Sequence, residues 1–390
     1  MRILVLTERY FPEEFLINDL VAEWNKQGLE VEVLTQVPSY PHDKIFEGYR
    51  NRGFQTTKAP GGVSVHRVRT VLGYNRSVVR KVLNYLNFAA RTSWWSIFRG
   101  RGYDCVFIYH TGPLTMATAA LVLHGLWRKR CVIWTQDLWP DAVFAYGFKK
   151  SAFREWLLGG FVKLIYAACS EVLVSCPGYV TPLMKRLGRK ITFLPQWDIG
   201  GDAVPEKAPD GRVVFLFAGN MGVPQNLERV ICGFRDAKLA SAELHLVGGG
   251  VMLEPLRAWV EKEAIPHVFF HGRQPRDTMS SFFAFADVLL LPLTADFALT
   301  LPGKFQAYLK AGRPIFGVLR GSAEGLIRDH DLGVTADPEN VSAIARGFSD
   351  LHAKALRQEL GHWRRNCLAL SADMFLREKL IAGLVARMMG

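Results

Sequence analysis

The sequence predicts an α/β protein of two doubly wound domains, each a parallel sheet wrapped by helices. Three observations carry this. Short apolar runs alternate with helix-period stretches along the chain, which is the pattern of strands joined by helical crossovers. The alternation breaks once, in a polar Gly/Pro/Asp/Lys stretch at 200–212, and then resumes. At 390 residues the chain exceeds what one hydrophobic core usually serves. Its 49% apolar and 22% charged residues describe a globular protein, not a disordered one.

Strand signals in the first half fall at 2–6, 31–35, 63–68, 104–108, 131–135, 171–175 and 191–194, with helices such as 17–27 and 116–128 between them. The opening Met1-Arg2-Ile3-Leu4-Val5-Leu6-Thr7 is too short in its apolar part for a signal peptide and reads as the first strand. The stretch at 200–212 reads as the interdomain linker. Strands then recur at 213–218, 243–247, 268–271, 287–291, 314–318 and 333–335, and a last helix covers 372–389. This gives domains at 1–200 and 201–370, with 371–390 as a terminal helix.

The six cysteines are scattered with no Cys-x-x-Cys, and most sit in apolar stretches such as Cys105-Val106-Phe107-Ile108. Buried free thiols in a reducing compartment follow. No run approaches the ~20 apolar residues of a spanning helix. The expectation is therefore a cytoplasmic chain without a transmembrane anchor.

The net charge of +12 is unevenly placed, because 48–103 holds eleven Lys or Arg residues and no Asp or Glu. Within it, 78–98 is rich in large apolar residues, including Trp94 and Trp95. A basic helix with Trp on an apolar face suits the headgroup level of an anionic membrane. The competing reading is a core helix with solvated arginines. Nucleic acid ranks below both, since no recognisable binding module accompanies the charge.

The most informative segment is 301–317. Pro302-Gly303 opens a helix whose first turn holds Lys304, and the helix closes on Ala311-Gly312 before an apolar strand. Unpaired amides at a helix N-terminus attract phosphate, and Lys304 adds a full charge at the same spot. The apolar run 286–292 lies just upstream. The lysine thus stands at a strand's carboxyl end, where open α/β sheets bind ligands. A nucleotide diphosphate fits there; an ordinary surface helix with a Gly cap is the plainer alternative. Gly219, Asn220 and Gly222 likewise follow a strand, and glycines there let backbone approach a ligand.

These segments resemble the retaining nucleotide-sugar glycosyltransferases of the two-Rossmann-domain (GT-B) type. More narrowly, they resemble family four and its bacterial surface-polysaccharide (O-antigen and exopolysaccharide) branch. Arg9-Tyr10-Phe11-Pro12-Glu13-Glu14, Val37-Pro38-Ser39-Tyr40-Pro41, Gln136-Asp137-Leu138-Trp139-Pro140-Asp141, 217–225 and 301–317 occur in that family's order. The resemblance implies two domains facing a cleft, with the last helix crossing back to the first domain. It implies a donor site of Gly219, Asn220, Gly222, Gln225, Arg273, Pro302, Gly303 and Lys304. Asp137, His110 and Lys304 are the catalytic candidates, with Glu8, Glu13, Phe15 and Gln136 along the acceptor side.

The sequence departs from the family in several places. Leu299 and Ala307 stand where its two glutamates are found, with Asp296 close upstream. Gln136 replaces a histidine, Phe15-Leu16 replaces a glycine pair, and Asn220 and Gln225 take the places of a basic pair. Phosphate neutralisation would then lean on Lys304. His267 and His271 are four apart on a strand without a third ligand, so no zinc site is expected. Asp329-His330-Asp331 reads as a solvated turn.

The implied activity is transfer of a sugar from a nucleotide donor, UDP-linked by preference, onto a lipid-linked saccharide. It would proceed with retention, without metal or cofactor, on the inner face of the cytoplasmic membrane, with 76–101 against anionic lipid. The alternatives are a nucleotide-sugar 2-epimerase and a non-catalytic partner subunit.

Overall fold

A computed structural model describes residues 1–139, 151–198, 204 and 211–389, without the side chains of 153–155. The linker expected at 200–212 lies outside the described residues except Val204, Gly211 and Arg212. The chain forms two compact units. One comprises Met1–Ser175, Tyr179–Leu194 and Glu378–Gly390; the other comprises Cys176–Gly178 and Pro195–Arg377.

The amino-terminal unit is built on eight strands: β1 (Arg2–Thr7), β2 (Glu30–Gln36), β3 (Phe54–Lys58), β4 (Ser64–Val68), β5 (Cys105–His110), β6 (Arg130–Thr135), β7 (Glu171–Val174) and β8 (Thr192–Phe193). Their order is β3-β4-β2-β1-β5-β6-β7-β8. All pairs are parallel except β3 with β4. The central strands β1, β5 and β6 are buried along nearly their whole length. They therefore read as continuous apolar runs. Strand β3, Phe-Gln-Thr-Thr-Lys, alternates exposed and half-buried positions at the sheet edge. It carries no apolar run, so pattern reading passes over it.

Helix Val78–Arg99 is turned inside out. Its buried residues are Asn84, Phe88, Thr92 and Ser96, three of them polar. Its exposed residues include Val79 (68%), Leu86 (54%), Trp94 (58%) and Phe98 (64%). Most of the polar atoms find partners inside: Asn84 Oδ1 accepts from Thr70 Oγ1 and from Val71 N, and Thr92 and Ser96 bond back to helix carbonyls, while Asn84 Nδ2 has no partner among the described residues. The two tryptophans part company. Trp95 turns inward, its ring 4.9 Å from His66 and 6.0 Å from Tyr103. Trp94 stays outside, 5.1 Å from Phe98.

The single last helix expected at 372–389 is two helices, Gly361–Met374 and Arg377–Met389. The chain turns at Phe375, whose buried ring packs 5.9 Å from Phe305. Helix Arg377–Met389 belongs to the amino-terminal unit. There Arg387 pairs with Glu171, and the Arg387 carbonyl accepts from Arg130 at 2.9 and 3.1 Å.

The carboxyl-terminal unit holds β9 (Val213–Ala218), β10 (Ala242–Val247), β11 (Val268–Gly272), β12 (Val288–Pro292), β13 (Ile315–Val318) and β14 (Gly333–Ala336). The order is β11-β10-β9-β12-β13-β14, parallel throughout. Phe348 locks one face, meeting Phe215, Phe234 and Phe316 edge-on at 4.8–5.4 Å. Strand order reverses between β9 and β12, which makes the loops at their carboxyl ends a topological switch point.

Backbone crowds together there. Gly219 has φ +141° and Gly248 has φ +134°; a Cβ on Gly248 would lie 1.8 Å from the Gly219 carbonyl oxygen. Met221 N donates to Gly249 O at 2.7 Å. Only glycine can occupy such a position. Gly248→Ala should therefore destabilise the unit by more than ~1 kcal/mol, through strain at positive φ and displacement of the 219–222 loop. A denaturant titration with an unshifted midpoint would show that the loops do not depend on this contact.

Candidate active site

Helix Lys304–Ala311 begins directly after Pro302-Gly303, with Phe305 N bonded to Pro302 O at 2.9 Å, and ends at Gly312 in the left-handed region. The loop before it is held from behind. Cys176 Sγ accepts from Leu301 N at 3.1 Å, and Gly178 presses so close that a Cβ there would lie 2.5 Å from Leu299 O. Tyr308, one turn into the helix, bonds through its hydroxyl to the N–H and carbonyl of Ala218. The helix is thus pinned to the end of β9.

That pinning aims Lys304 at the glycine loop. Its Nζ is buried and has no hydrogen-bond partner among the described residues. It sits 3.8 Å from the Phe217 ring centroid, and a Cβ on Gly219 would come within 3.0 Å of it. Burial pulls the ammonium down to about 7, because desolvation penalises its charged form. The ring face attracts a cation and opposes this shift. A lysine with no anion to satisfy it is costly to bury.

Lys304, Gly219, Tyr308 and Ala307 line a cavity of about 420 Å³ together with Phe283, Arg276 and Lys310. The last three were not anticipated from sequence. They sit on the faces of short helices, and only the folding of Met279–Phe285 and Lys304–Ala311 around one space unites them. Ala307 is on the cavity wall, whereas Leu299 is exposed and outside the lining. Pro302, Gly303 and Asn220 flank the site without lining the cavity. Gln225 Oε1 accepts from Gly222 N at 2.9 Å and holds the loop's own turn. Arg273 is exposed, with its stem beside Gly249. Asp296 is exposed in a short turn.

In the amino-terminal unit the two motifs at 9–14 and 37–41 prove to be one cluster. Glu13 Oε1 accepts from Ser39 N (2.8 Å) and Tyr40 N (2.7 Å) and lies 3.3 Å from Arg9. Through this oxygen it ties down the second loop, while its Oε2 has no partner among the described residues. Glu8 accepts from Gln36 and pairs with Arg9 at 3.5 Å, and burial raises its carboxyl above the usual range. The Arg9 guanidinium lies over the rings of Tyr40 and Tyr74. Phe15 stacks obliquely on Tyr40 at 5.7 Å.

His110 is the last residue of β5. It is fully buried, with Nε2 3.0 Å from Gly112 O and Nδ1 3.4 Å from Thr135 Oγ1, and burial pushes it down to about 4. A neutral imidazole occupied at both nitrogens braces the turn and offers no free base. Asp137 grips the same turn, accepting from Gly112 N at 2.9 Å, with burial raising its carboxyl. Gln136 is nearly buried and follows the strand, its N–H on His110 O. Pro140 and Asp141 lie outside the described residues.

His271 and His267 do not act together. His271 Nε2 meets His245 Nδ1 at 2.8 Å, and His245 Nε2 meets Glu243 at 3.0 Å. Asp331 anchors helix Gly361–Met374 by accepting from Trp363 Nε1 at 2.7 Å, so the Asp329-His330-Asp331 turn is structural at one end. Among the described residues, no three His, Cys, Asp or Glu side chains converge as a metal-ligand set.

Comparison with known proteins agrees with this architecture. Residues 16–197 match the model for the glycosyl transferase 4-like domain, and 212–354 match that for glycosyl transferases group 1. The putative colanic acid biosynthesis glycosyl transferase WcaI of Escherichia coli is 24% identical over 382 residues, spanning 89% of this chain and 91% of that one. The probable glycosyltransferase WbjE of Pseudomonas aeruginosa is 24% identical over 269 residues, spanning 65% and 67%. Among solved structures, sucrose-phosphate synthase from Thermosynechococcus elongatus superposes with a TM-score of 0.75 at 14% identity, over 100% of this chain and 98% of that one. The lipopolysaccharide glycosyltransferase WaaG does so with 0.67 at 14%, over 100% of both. HepE of Anabaena, solved with UDP, gives 0.67 at 12%, also over 100% of both. With each half matching one of two companion models and two parallel sheets of the GT-B fold, the chain belongs to the family-four-type glycosyltransferases.

Proposed function

We propose that this glycosyltransferase moves a hexosyl or N-acetylhexosaminyl group, with retention, from a UDP-linked donor onto a lipid-diphosphate-linked saccharide in surface-polysaccharide assembly. The observation that carries the donor reading is the buried, unpartnered ammonium of Lys304 at the switch point, beside Gly219. The WcaI relative, of colanic acid biosynthesis, and WaaG, of lipopolysaccharide biosynthesis, support the pathway, and HepE, solved with UDP, supports the nucleotide.

In this mechanism the bond between the anomeric carbon and the diphosphate oxygen breaks first. Lys304 and the amides opening helix Lys304–Ala311 would stabilise the charge that accumulates on the leaving group. The acceptor hydroxyl attacks the oxocarbenium-like centre from the face the diphosphate left, and its proton passes to a phosphate oxygen. No protein carboxylate need act as nucleophile, which accommodates Leu299 and Ala307 in place of acidic residues. Asp137 is kept as the first unit's candidate toward substrate hydroxyls. Positive charge from the chain would replace a metal. EDTA should therefore leave turnover intact, and a loss restored by magnesium or manganese would overturn that part.

The rivals are a 2-epimerase, which would convert donor without acceptor, and a partner subunit without turnover. Mass spectrometry of a lipid-linked acceptor incubated with UDP-sugars separates transfer from both rivals, proton NMR of the donor separates epimerisation from no turnover, and the anomeric coupling of the product tests retention.

Lys304→Ala should weaken UDP binding by roughly 1.5–3 kcal/mol, the range for hydrogen bonds to charged groups. The pH dependence has a definite sign. With Lys304 near 7 in the empty site, diphosphate binding must take up a proton above that pH. Affinity should fall between about pH 7.5 and 9.5, by up to about tenfold per unit, and K304A should abolish the slope. Calorimetry giving equal, pH-independent affinities for both proteins would remove Lys304 from the site.

The membrane part rests on helix Val78–Arg99, whose exposed apolar stripe is flanked by the exposed cations Arg76, Arg80, Lys81, Arg99 and Arg101. A stripe of that kind suits an anionic surface, and among the described residues no helix is long and apolar enough to cross a membrane. Co-sedimentation with vesicles should rise with anionic lipid and fall with salt. Charge reversal at Arg80 and Lys81 should weaken it by about 1 kcal/mol per cation removed. Binding that ignores both salt and lipid charge would return the helix to an ordinary surface role.

A further inference from the structure

A separate concavity of about 410 Å³ lies in the amino-terminal unit, lined by the loop that follows β4, at 69–72, and by one face of helix Val78–Arg99. Three arginines contribute to its walls: Arg69 from the loop, and Arg80 and Arg91 from the helix. Arg80, Asn87 and Arg91 stand seven and four residues apart, so they share that helix face.

Uncharged partners place these side chains. Arg80 Nη1 donates to Leu72 O at 3.3 Å. Its stem crosses Gly73 so closely that a Cβ there would lie 2.6 Å from Arg80 Cδ. Arg91 Nε donates to Asn87 Oδ1 at 2.7 Å, and its guanidinium lies 5.7 Å from the centre of the Phe54 ring. Asn87 Nδ2 in turn donates to Arg69 O at 2.6 Å, and Asn51 bonds both the N–H and the carbonyl of Thr70. The two amide side chains are thereby spent on holding the walls. No carboxylate lines the concavity, and among the described residues none of the three arginines is ion-paired. The Asp43 carboxylate, at the neighbouring turn, is taken by the amides of Gly73 and Asn75.

Cations gathered without a counter-charge repel one another, and a concavity lined by one sign of charge focuses its field on what enters. The planar guanidinium fork matches phosphate oxygens two bonds at a time. A diphosphate carries more charge and more acceptor oxygens than a carboxylate, and it can meet more than one fork at once. We propose that Arg69, Arg80 and Arg91 form a binding site for a diphosphate group. Arg69 and Arg91 belong neither to the donor site at Lys304 nor to the exposed apolar stripe, so the site stands apart from both readings above.

The probe is inorganic pyrophosphate, titrated by calorimetry into the full chain and into its Lys304→Ala variant. Saturable binding of one molecule should survive K304A, which separates this site from the donor site whatever becomes of the donor reading. In the K304A background, Arg69→Gln with Arg91→Gln should weaken pyrophosphate by at least about tenfold. Arg69 is exposed and supports Asn87 through its backbone carbonyl, so the fold should survive, and thermal unfolding checks this. Arg76→Gln with Lys81→Gln removes the same charge outside the concavity. At physiological salt it should change the affinity by less than about twofold, because distant charges are screened. Sulfate should bind at least about tenfold more weakly than pyrophosphate. Geranyl diphosphate bound more tightly than pyrophosphate traces the diphosphate to a lipid, and pyrophosphate bound as tightly or more so traces it to a soluble ester. Absence of binding in K304A, equal binding of sulfate, tighter binding of dihexanoyl phosphatidic acid, indifference to the Arg69 and Arg91 pair, or equal sensitivity to the Arg76 and Lys81 pair would overturn the proposal.

Discussion

The carboxyl-terminal unit of this protein is organised around one buried ammonium. Lys304 Nζ lies against the Phe217 ring and the bare Cα of Gly219, with no hydrogen-bond partner among the described residues. Several features keep it there. Tyr308 bolts the helix to Ala218. Cys176 and Gly178 press the preceding loop into place. Gly248 and Gly219 let two loops cross at a distance no side chain would permit. An unsatisfied buried cation lowers stability. Its persistence in a well-packed unit is the kind of local inconsistency expected where a ligand completes the structure.

The amino-terminal unit uses its polar residues differently. Glu8, Arg9, Glu13, Ser39 and Tyr74 form a closed cluster in which most of the buried polar atoms answer one another. His110 and Asp137 grip opposite sides of the Gly112 backbone. Charged and titratable residues at the ends of strands suggest chemistry, but here most of them set the shape of loops. A fully buried histidine with both nitrogens engaged stays neutral across the physiological range.

The helix Val78–Arg99 shows how far periodicity reaches. Its spacing forecasts an amphipathic helix, and the boundaries follow closely: 78–98 expected, Val78–Arg99 observed. Which stripe faces inward is another matter. The usual rule puts the apolar stripe in the core, yet Asn84, Thr92 and Ser96 are buried and Val79, Leu86 and Phe98 are exposed. A hydrogen bond from Thr70 to Asn84 reaches across fourteen residues of chain, and such a partner leaves no trace in local spacing. The same applies to Trp95, which turned toward His66 instead of outward.

By itself the sequence determined the class and order of the architecture: two alternating α/β halves and every parallel strand of both sheets, because buried parallel strands must be continuous apolar runs. It also marked Lys304 and Gly219, since a glycine after a strand and a lysine opening a helix are local signs of anion binding. It passed over β3, whose edge position demands no apolar run, and the break at Phe375, set by a ring packing on Phe305. Only tertiary structure decided that Glu13 braces the loop at 37–41, that His110 reaches Thr135 on the next strand, and that Arg276, Phe283 and Lys310 share a cavity with Lys304. Motif spacing reports what a residue is and where along the chain it stands. Whether its polar atoms are free for a substrate depends on partners tens of residues away, which only the closed fold brings within hydrogen-bonding distance.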